Sequence, residues 1–299
     1  MGLIILLIFI ASAIYIQTRG EVQHAMIKRR FTDHSNVLGP INVLFYMFSK
    51  VPTTPYVSDK SFPDLKILHD NWELIRDEAV QLNDKGAIKA SDDLDDIGFN
   101  SFFKTGWTRF YLKWYGSSLA SAAQLCPRTT ALVEALPSVK GAMFAMLPPG
   151  ARLVKHRDPF AGSLRYHMGL QTPNHDDCYI DVDGTKYSWR DGEVVMFDET
   201  YIHYAENKTD QNRIILFLDI KRPVIFAPID WLNTAFSNVV MAASATKNTE
   251  GDKVGALNKA FSYIYKVRAV GKRIKAWNRH VYYTLQYGIY LGLIYLIFF

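Results

Sequence analysis

The chain has 299 residues, and its 49% hydrophobic and 21% charged content excludes wholesale disorder. The length allows one substantial domain with extensions, or two small domains. Two cysteines, Cys126 and Cys178, cannot form a disulfide framework and favour a reducing compartment. The net charge of +5 is modest, but basic residues gather near both ends. These clusters indicate either solvated helix faces or contact with an anionic membrane surface. They comprise Lys28, Arg29, Arg30, Lys266, Arg268, Lys272, Arg273, Lys275 and Arg279.

Each end of the chain is an uncharged apolar run. Residues 1–18 and 281–299 are each just long enough to predict a transmembrane anchor. The basic clusters that follow the first run and precede the second place the interior on the cytoplasmic side by the positive-inside rule. Two alternatives are a cleaved signal peptide ending near Ala11-Ser12-Ala13 and, for the second run, a buried core helix.

Between the two apolar runs, the sequence divides into three segments with different residue patterns. Residues 19–140 form a mostly helical extension, with apolar residues at helical spacing over 62–82 and 119–136, and an acidic loop at 91–96. Residues 141–223 break into short apolar runs separated by turn signals, which is typical of an antiparallel sandwich. Residues 224–280 predict a basic amphipathic helical region.

Eight short strands are predicted in the middle segment, which fits a jelly roll, or double-stranded β-helix. The predicted fold is therefore mainly β, with flanking α-helices and a transmembrane helix at each terminus. The predicted strands are Ala142–Leu147, Leu153–His156, Ser163–Gln171, Cys178–Val182, Thr185–Trp189, Glu193–Phe197, Ile202–Glu206 and Arg213–Ile220.

A candidate metal site begins with His156-Arg157-Asp158. Along a strand, residues i and i+2 project to the same side, so His156 and Asp158 can point at one spot. Two histidines and one carboxylate form the facial triad of non-haem iron(II) oxygenases, and His203 is the candidate third ligand from a later strand. By itself, a His-x-Asp pair equally fits a histidine hydrogen-bonded to a carboxylate in a turn.

A candidate anion site lies at Arg213, ten residues after His203. Arg213 opens a strand that is apolar on both faces, so it should be buried and should require an anionic partner. That partner is either the distal carboxylate of 2-oxoglutarate or a structural acid such as Asp219 or Glu193. Arg165 and His167 share one face of an alternating strand and either contact the cosubstrate or form a solvated outer face.

The order of several motifs resembles that of the aspartyl/asparaginyl β-hydroxylase family. The motifs are His156-Arg-Asp-Pro159, Leu164-Arg-Tyr-His-Met-Gly-Leu170, Trp189-Arg-Asp-Gly-Glu193, Phe197-Asp-Glu199, His203, Arg213 and Asp219-Ile-Lys-Arg-Pro223. With apolar runs at both ends, the chain looks most like the bacterial lipid A 2-hydroxylases in that family.

The resemblance implies a reaction and a set of roles. His156, Asp158 and His203 would bind Fe(II), and Arg213, Arg165 and His167 would bind 2-oxoglutarate. With O2 as cosubstrate, and ascorbate as a possible reductant, the enzyme would hydroxylate C2 of a secondary acyl chain of lipid A. The substrate would be lipid A or a lipopolysaccharide precursor at the cytoplasmic face of the bacterial inner membrane. Neither a nucleic acid nor a protein partner is expected.

The resemblance has one visible departure, and it leaves other functions open. Ala145 stands where peptide-hydroxylating relatives carry a serine that contacts the cosubstrate. The alternatives are hydroxylation of an Asp or Asn side chain in a protein, and a non-catalytic jelly-roll membrane protein that binds a metal or dicarboxylate. A zinc hydrolase using His156, His167 and His203 is a further alternative, but it leaves Arg213 without a role.

Overall fold

The computed structural model describes residues 2–91, 96 and 98–298. Most of the predicted acidic loop therefore lies outside the described residues. The prediction of a mainly β protein is wrong, because the chain is 46% helix and 21% strand. The helices, most of which precede or follow the central strands along the chain, make up more of the regular structure than the strands do.

The α-helices occupy the two flanks of the chain. They are α1 (Gly2–Thr18), α2 (Ile27–Phe31), α3 (Gly39–Met47), α4 (Lys66–Asp70), α5 (Trp72–Asp84), α6 (Asn100–Phe103), α7 (Ala120–Leu125), α8 (Pro127–Glu134), α9 (Ala227–Phe236), α10 (Ala256–Trp277) and α11 (Arg279–Phe298). Pro127 interrupts the helical run predicted over 119–136. It begins α8, where its missing N–H costs nothing.

Two antiparallel sheets form the centre of the protein. The strands are β1 (Tyr56–Val57), β2 (Thr108–Trp114), β3 (Ser117–Ser118), β4 (Val139–Leu147), β5 (Ser163–Gln171), β6 (Cys178–Val182), β7 (Thr185–Ser188), β8 (Val194–Phe197), β9 (His203–Asn207) and β10 (Arg213–Lys221). The larger sheet has the order β1-β8-β5-β10-β4-β2-β3, and the smaller sheet has the order β7-β6-β9. Side chains from both sheets line one cavity, so the cavity lies between them.

The bounds of several central strands were predicted correctly. Strand β5 of the larger sheet and β6 of the smaller sheet have the predicted bounds, and β10 begins at Arg213 as predicted. The segment predicted as a strand over Leu153–His156 makes only isolated bridges, at Arg152 and at His156. Strand β2 was not predicted, although it pairs with β4 inside the larger sheet.

The turn between β6 and β7 follows the sequence closely. Asp183 and Gly184 both have positive φ, at 53° and 87°, as a two-residue hairpin turn requires. Asp183 and Gly184 therefore form the two-residue turn that joins β6 to β7. The Asp183 carboxylate also accepts hydrogen bonds from the backbone N–H groups of Glu21 and Val22, at 3.0 and 2.8 Å, and so holds the chain that follows α1.

The two predicted transmembrane helices are wrong. Among the described residues, the structure has no helix with both the length and the apolar character needed to cross a bilayer. Helix α1 has 17 residues, which at 1.5 Å per residue reach about 26 Å, less than the hydrocarbon thickness of about 30 Å. Helix α11 is longer, but it carries Arg279, His280 and Gln286.

Candidate metal centre and its cavity

The three predicted metal ligands converge at one point. His156 and His203 face each other across an isolated antiparallel bridge and exchange both backbone hydrogen bonds, at 3.0 and 2.8 Å. Their ring centroids are therefore only 4.3 Å apart. The backbone N–H of Asp158 donates to the Glu199 carbonyl at 2.9 Å, which brings its side chain beside the two rings. One ligand atom from each of the three residues lies within 4.8 Å of the others.

The backbone sets the tautomer of both histidines. Nδ1 of His156 lies 2.8 Å from the Val154 carbonyl oxygen, and Nδ1 of His203 lies 2.9 Å from the Tyr201 carbonyl oxygen. A carbonyl only accepts, so each Nδ1 carries the proton and donates it. Each Nε2 is left with the lone pair that a metal requires.

The protonation states suit a cation. Burial and the nearby His156 lower the pKa of His203 to about 3, and burial also lowers the pKa of His156. Burial alone would raise the pKa of Asp158, but Arg165 and the two histidines outweigh it and lower that pKa. At neutral pH the site therefore presents two neutral imidazoles and one carboxylate.

Arg165 lies behind Asp158, among three carboxylates. Its Nη2 donates to Asp158 Oδ2 at 2.7 Å and also contacts the Glu199 carboxylate, while its Nε lies 3.0 Å from Asp219 Oδ1. The Arg165 side chain is 8% exposed, so the predicted solvated outer face is excluded. Burial raises the pKa of Glu199 to about 8, against the opposing charge of Arg165.

Arg213 lines the same cavity, and the described residues provide no counter-ion for it. Its guanidinium stacks over the Trp189 ring at 4.4 Å, and its buried Nε makes no hydrogen bond within the described structure. Neither predicted structural acid pairs with it, since Asp219 contacts Arg165 and Tyr115, and Glu193 lies within 3.5 Å of Tyr187. Burial lowers the pKa of Arg213 to about 10, because few nearby groups compensate its charge.

His167 is the second unsatisfied group of the cavity. Neither of its buried ring nitrogens finds a hydrogen-bond partner in the part of the chain that the structure describes. Burial, together with the charges of Arg165 and Arg213, lowers its pKa well below the usual value. His167 is therefore neutral and keeps one N–H and one lone pair for a ligand, and it lies outside the His156, Asp158 and His203 group.

The other side chains of the cavity wall are apolar or aromatic. They are Phe99, Phe102, Trp107, Leu153, Ile180, Trp189, Phe197, Ala205, Ile215 and Phe217. Phe102 packs edge-on against His156, with the ring centroids 4.9 Å apart. Sequence patterns had not identified Phe99, Phe102 or Trp107, since they lie in the segment before the predicted core. The sequence identified Glu199 only as part of the Phe197-Asp-Glu motif and gave it no role of its own.

The chain belongs to the aspartyl/asparaginyl β-hydroxylase family. The model of that family matches residues 69–223, about half of the chain. The protein is thus a member of a family of hydroxylases, and the resemblance seen in the motifs is confirmed.

Two curated relatives illustrate the range of that family. The chain is 30% identical over 196 residues to the ornithine lipid ester-linked acyl 2-hydroxylase of Rhizobium tropici, covering 65% of this chain and 69% of that protein. It is 29% identical over 166 residues to the human aspartyl/asparaginyl β-hydroxylase, covering 53% of this chain but only 21% of that protein. Among solved structures, a Pseudomonas putida prolyl-4-hydroxylase is 17% identical and covers 52% of this chain and 88% of that one. Its TM-score of 0.34 is too low to add to the family assignment.

Proposed function

We propose that this protein is an Fe(II)- and 2-oxoglutarate-dependent dioxygenase that hydroxylates C2 of a lipid acyl chain. The observation that carries the proposal is one cavity with two complementary features. A preformed His156, Asp158 and His203 ligand group lies on its wall, and the buried cation Arg213 without a counter-ion lies on the same wall.

The donor set fits iron(II). Two neutral imidazoles and an ionised carboxylate are the ligands of the facial iron site, in which the remaining coordination positions stay open. His156, Asp158 and His203 would hold the ion, and the backbone carbonyls on both Nδ1 atoms would keep the rings in orientation. Iron(II), 2-oxoglutarate and O2 together supply the oxidising power to hydroxylate an unactivated C–H bond, with succinate and CO2 as co-products.

The unsatisfied polar atoms of the cavity fit 2-oxoglutarate. A buried guanidinium without a partner costs free energy, and a carboxylate that accepts two parallel hydrogen bonds removes that cost. Arg213 would hold one carboxylate of the cosubstrate. His167 would donate its one N–H to an oxygen of the same molecule, which would pair one of its two unpaired ring nitrogens.

The apolar cavity wall favours an acyl chain over an Asp or Asn side chain. Arg165 and Arg213 are the cationic side chains among the described lining residues, and three carboxylates already engage Arg165. With Arg213 assigned to the cosubstrate, neither cation is left for a substrate carboxylate. The similarity to the Rhizobium acyl 2-hydroxylase supports the same substrate class.

A basic rim, formed by Arg152 and Lys155, lies just before His156 in the chain. Both side chains are exposed, whereas Leu153 between them lines the cavity. Both cations lie over the Tyr204 ring, at 5.0 and 5.1 Å, and Arg29 donates to the Lys155 carbonyl at 2.7 Å. This basic rim supports a phosphate-bearing lipid. Within the proposal, the substrate is therefore lipid A or its precursor, met at the cytoplasmic face of the inner membrane.

We expect the purified protein, supplied with Fe(II), ascorbate, O2 and 2-oxoglutarate, to add one oxygen to an acyl chain of lipid A. Mass spectrometry of the lipid should show a gain of about 16 Da on C2 of that chain. One succinate should form per oxygen added, because each O2 supplies one atom to succinate and the other to the new hydroxyl group. Ornithine lipid and an Asp-containing peptide serve as parallel substrates. Oxygen on the peptide alone would overturn the lipid assignment, and absence of succinate with every substrate would overturn the chemistry.

A second prediction concerns the basic rim. Arg152→Ala with Lys155→Ala should raise the KM for lipid A vesicles by about 30-fold, since each cation near an anionic surface contributes about 1 kcal/mol. The KM for 2-oxoglutarate should not change, and the effect should fade at high salt. The exposed Lys60 and Lys85, which lie in a different part of the chain from the candidate metal ligands, provide a matched double-alanine control. An equal loss in that control would contradict a specific rim.

A further inference from the structure

Arg165 has a position that the proposed function does not yet use. It lies on β5, where its registered neighbours are Asp219 on β10 and Phe197 on β8. From this position the guanidinium reaches Asp158, Glu199 and Asp219 at once. A planar fork of five N–H donors is suited to bridging several carboxylates in one fixed arrangement.

The two carboxylates behind Arg165 are themselves held. Asp219 Oδ2 accepts a hydrogen bond from the Tyr115 hydroxyl at 3.1 Å, and Glu199 Oε1 accepts one from the Ser163 hydroxyl at 2.7 Å. Both carboxylate side chains are 3% exposed. Asp219 and Glu199 therefore act as rigid anchors on the side of Arg165 that faces the core.

Asp158 is less constrained than these anchors. It follows His156 outside any named strand, and its side chain is 27% exposed. Its Oδ2 accepts from Arg165, and its Oδ1 lies 3.7 Å from Nε2 of His156, on the side of the ligand group. Among the hydrogen bonds described for the Asp158 side chain, Arg165 is the one protein donor, so it decides which way the carboxylate points.

We infer that Arg165 is a positioning residue that holds Asp158 in its metal-binding orientation, with Glu199 and Asp219 as the anchors behind it. The inference rests on the proposed metal site and assigns Arg165 a role in addition to the cosubstrate contact implied by the resemblance. Arg213, for which the described residues provide no ion pair, has no such role at the metal site.

The test compares Arg165→Met with Arg213→Met in the full chain. Anaerobic titration with Co²⁺, without cosubstrate, gives the metal Kd and the visible ligand-field spectrum, both independent of turnover. Arg165→Met should weaken metal binding by about 10- to 100-fold, the usual effect of removing the partner of a ligand, and should alter that spectrum. Arg213→Met should leave the metal Kd within about 2-fold of the wild-type value while weakening 2-oxoglutarate binding.

A double-mutant comparison separates positioning from general loss of structure. In an Asp158→Ala background, Arg165→Met should cause no further loss of metal affinity, because the carboxylate that it orients is gone. Should Arg165→Met fail to fold, Asp219→Asn removes the charge of one anchor and should weaken metal binding in the same direction.

Two results would overturn the inference. One is an unchanged Co²⁺ affinity in Arg165→Met with weakened 2-oxoglutarate binding, which is the pattern expected of a cosubstrate residue. The other is an additive loss of metal affinity in the double variant. Failure of the proposed function would appear differently, as normal metal binding by the wild-type protein without succinate formation.

Discussion

Arg213→Met should make the protein without cosubstrate more stable and, at the same time, nearly unable to bind 2-oxoglutarate. In the folded chain Arg213 is buried without a counter-ion, and burial lowers its pKa to about 10. A folded pKa below the unfolded one means that the charged form costs stability at neutral pH, so an apolar side chain removes a cost. The loss of a buried, hydrogen-bonded charge pair in the complex is worth about 3–4 kcal/mol, which predicts a KM for 2-oxoglutarate raised by about 100- to 1000-fold.

Thermal unfolding and succinate formation check the two halves of this prediction. The melting temperature of the protein without cosubstrate should rise in the variant, and the stabilisation that added 2-oxoglutarate confers on the wild type should disappear. A lower melting temperature together with an unchanged KM would show that Arg213 serves the fold instead.

Asp198→Asn should have the largest effect on stability. Asp198 is fully buried. Its Oδ2 accepts a hydrogen bond from Arg19 at 2.6 Å and forms an ion pair with Arg222 at 2.9 Å. Both guanidinium groups are themselves buried, so the neutral amide leaves two cations without an anion. Breaking a buried pair costs about 3–5 kcal/mol, and the melting temperature should fall by about 10 °C. Arg222→Met is a matched control for Arg213→Met, because both arginines are buried and lie at opposite ends of β10. Arg222 has an ion-pair partner, so its replacement should destabilise the protein, whereas Arg213→Met should stabilise it.

The contribution of Asp198 also predicts a pH dependence. Burial would raise its pKa, but Arg222 and Arg19 outweigh burial and lower it to about 2 from an ordinary value of 3.8. A depressed folded pKa contributes stability that is complete above the unfolded pKa and is lost as pH falls through the folded one. The difference in free energy of unfolding between wild type and Asp198→Asn should therefore be constant near neutral pH and shrink between about pH 4 and 2. A difference that grows on acidification would contradict the ion pair.

Local chemistry explains why part of this fold could be predicted. Strand β5 alternates between the core and the cavity, and Asp183-Gly184 can adopt the positive φ values of its hairpin, so both follow from short-range rules. The grouping of His156 with Asp158 likewise needs only two residues of spacing. His203 could be added because its position near a strand start matched an ordered set of motifs.

Other features depend on contacts between residues far apart in the chain. Strand β2 was missed because its burial is nearly continuous and reflects pairing with β4, about 30 residues later. The terminal helices were predicted as membrane spans from their apolar composition, but α1 has only 17 residues and α11 includes Arg279, His280 and Gln286. Arg19, which directly follows α1, donates a hydrogen bond to Asp198, 179 residues away. No local sequence pattern predicts this contact.

The sequence alone indicated His156, Asp158 and Arg213 as candidate site residues, because ligand type, spacing and an arginine on an apolar strand are local properties, whereas His203 was added from the order of the motifs. Only the tertiary structure decided what each arginine touches. Arg165 and Arg213 both lie on strands of the larger sheet, but the folded chain places three acids around the first and leaves the second without any described ion pair. The free energy of a buried charge depends on its neighbours in space, and folding brings those neighbours from distant parts of the chain.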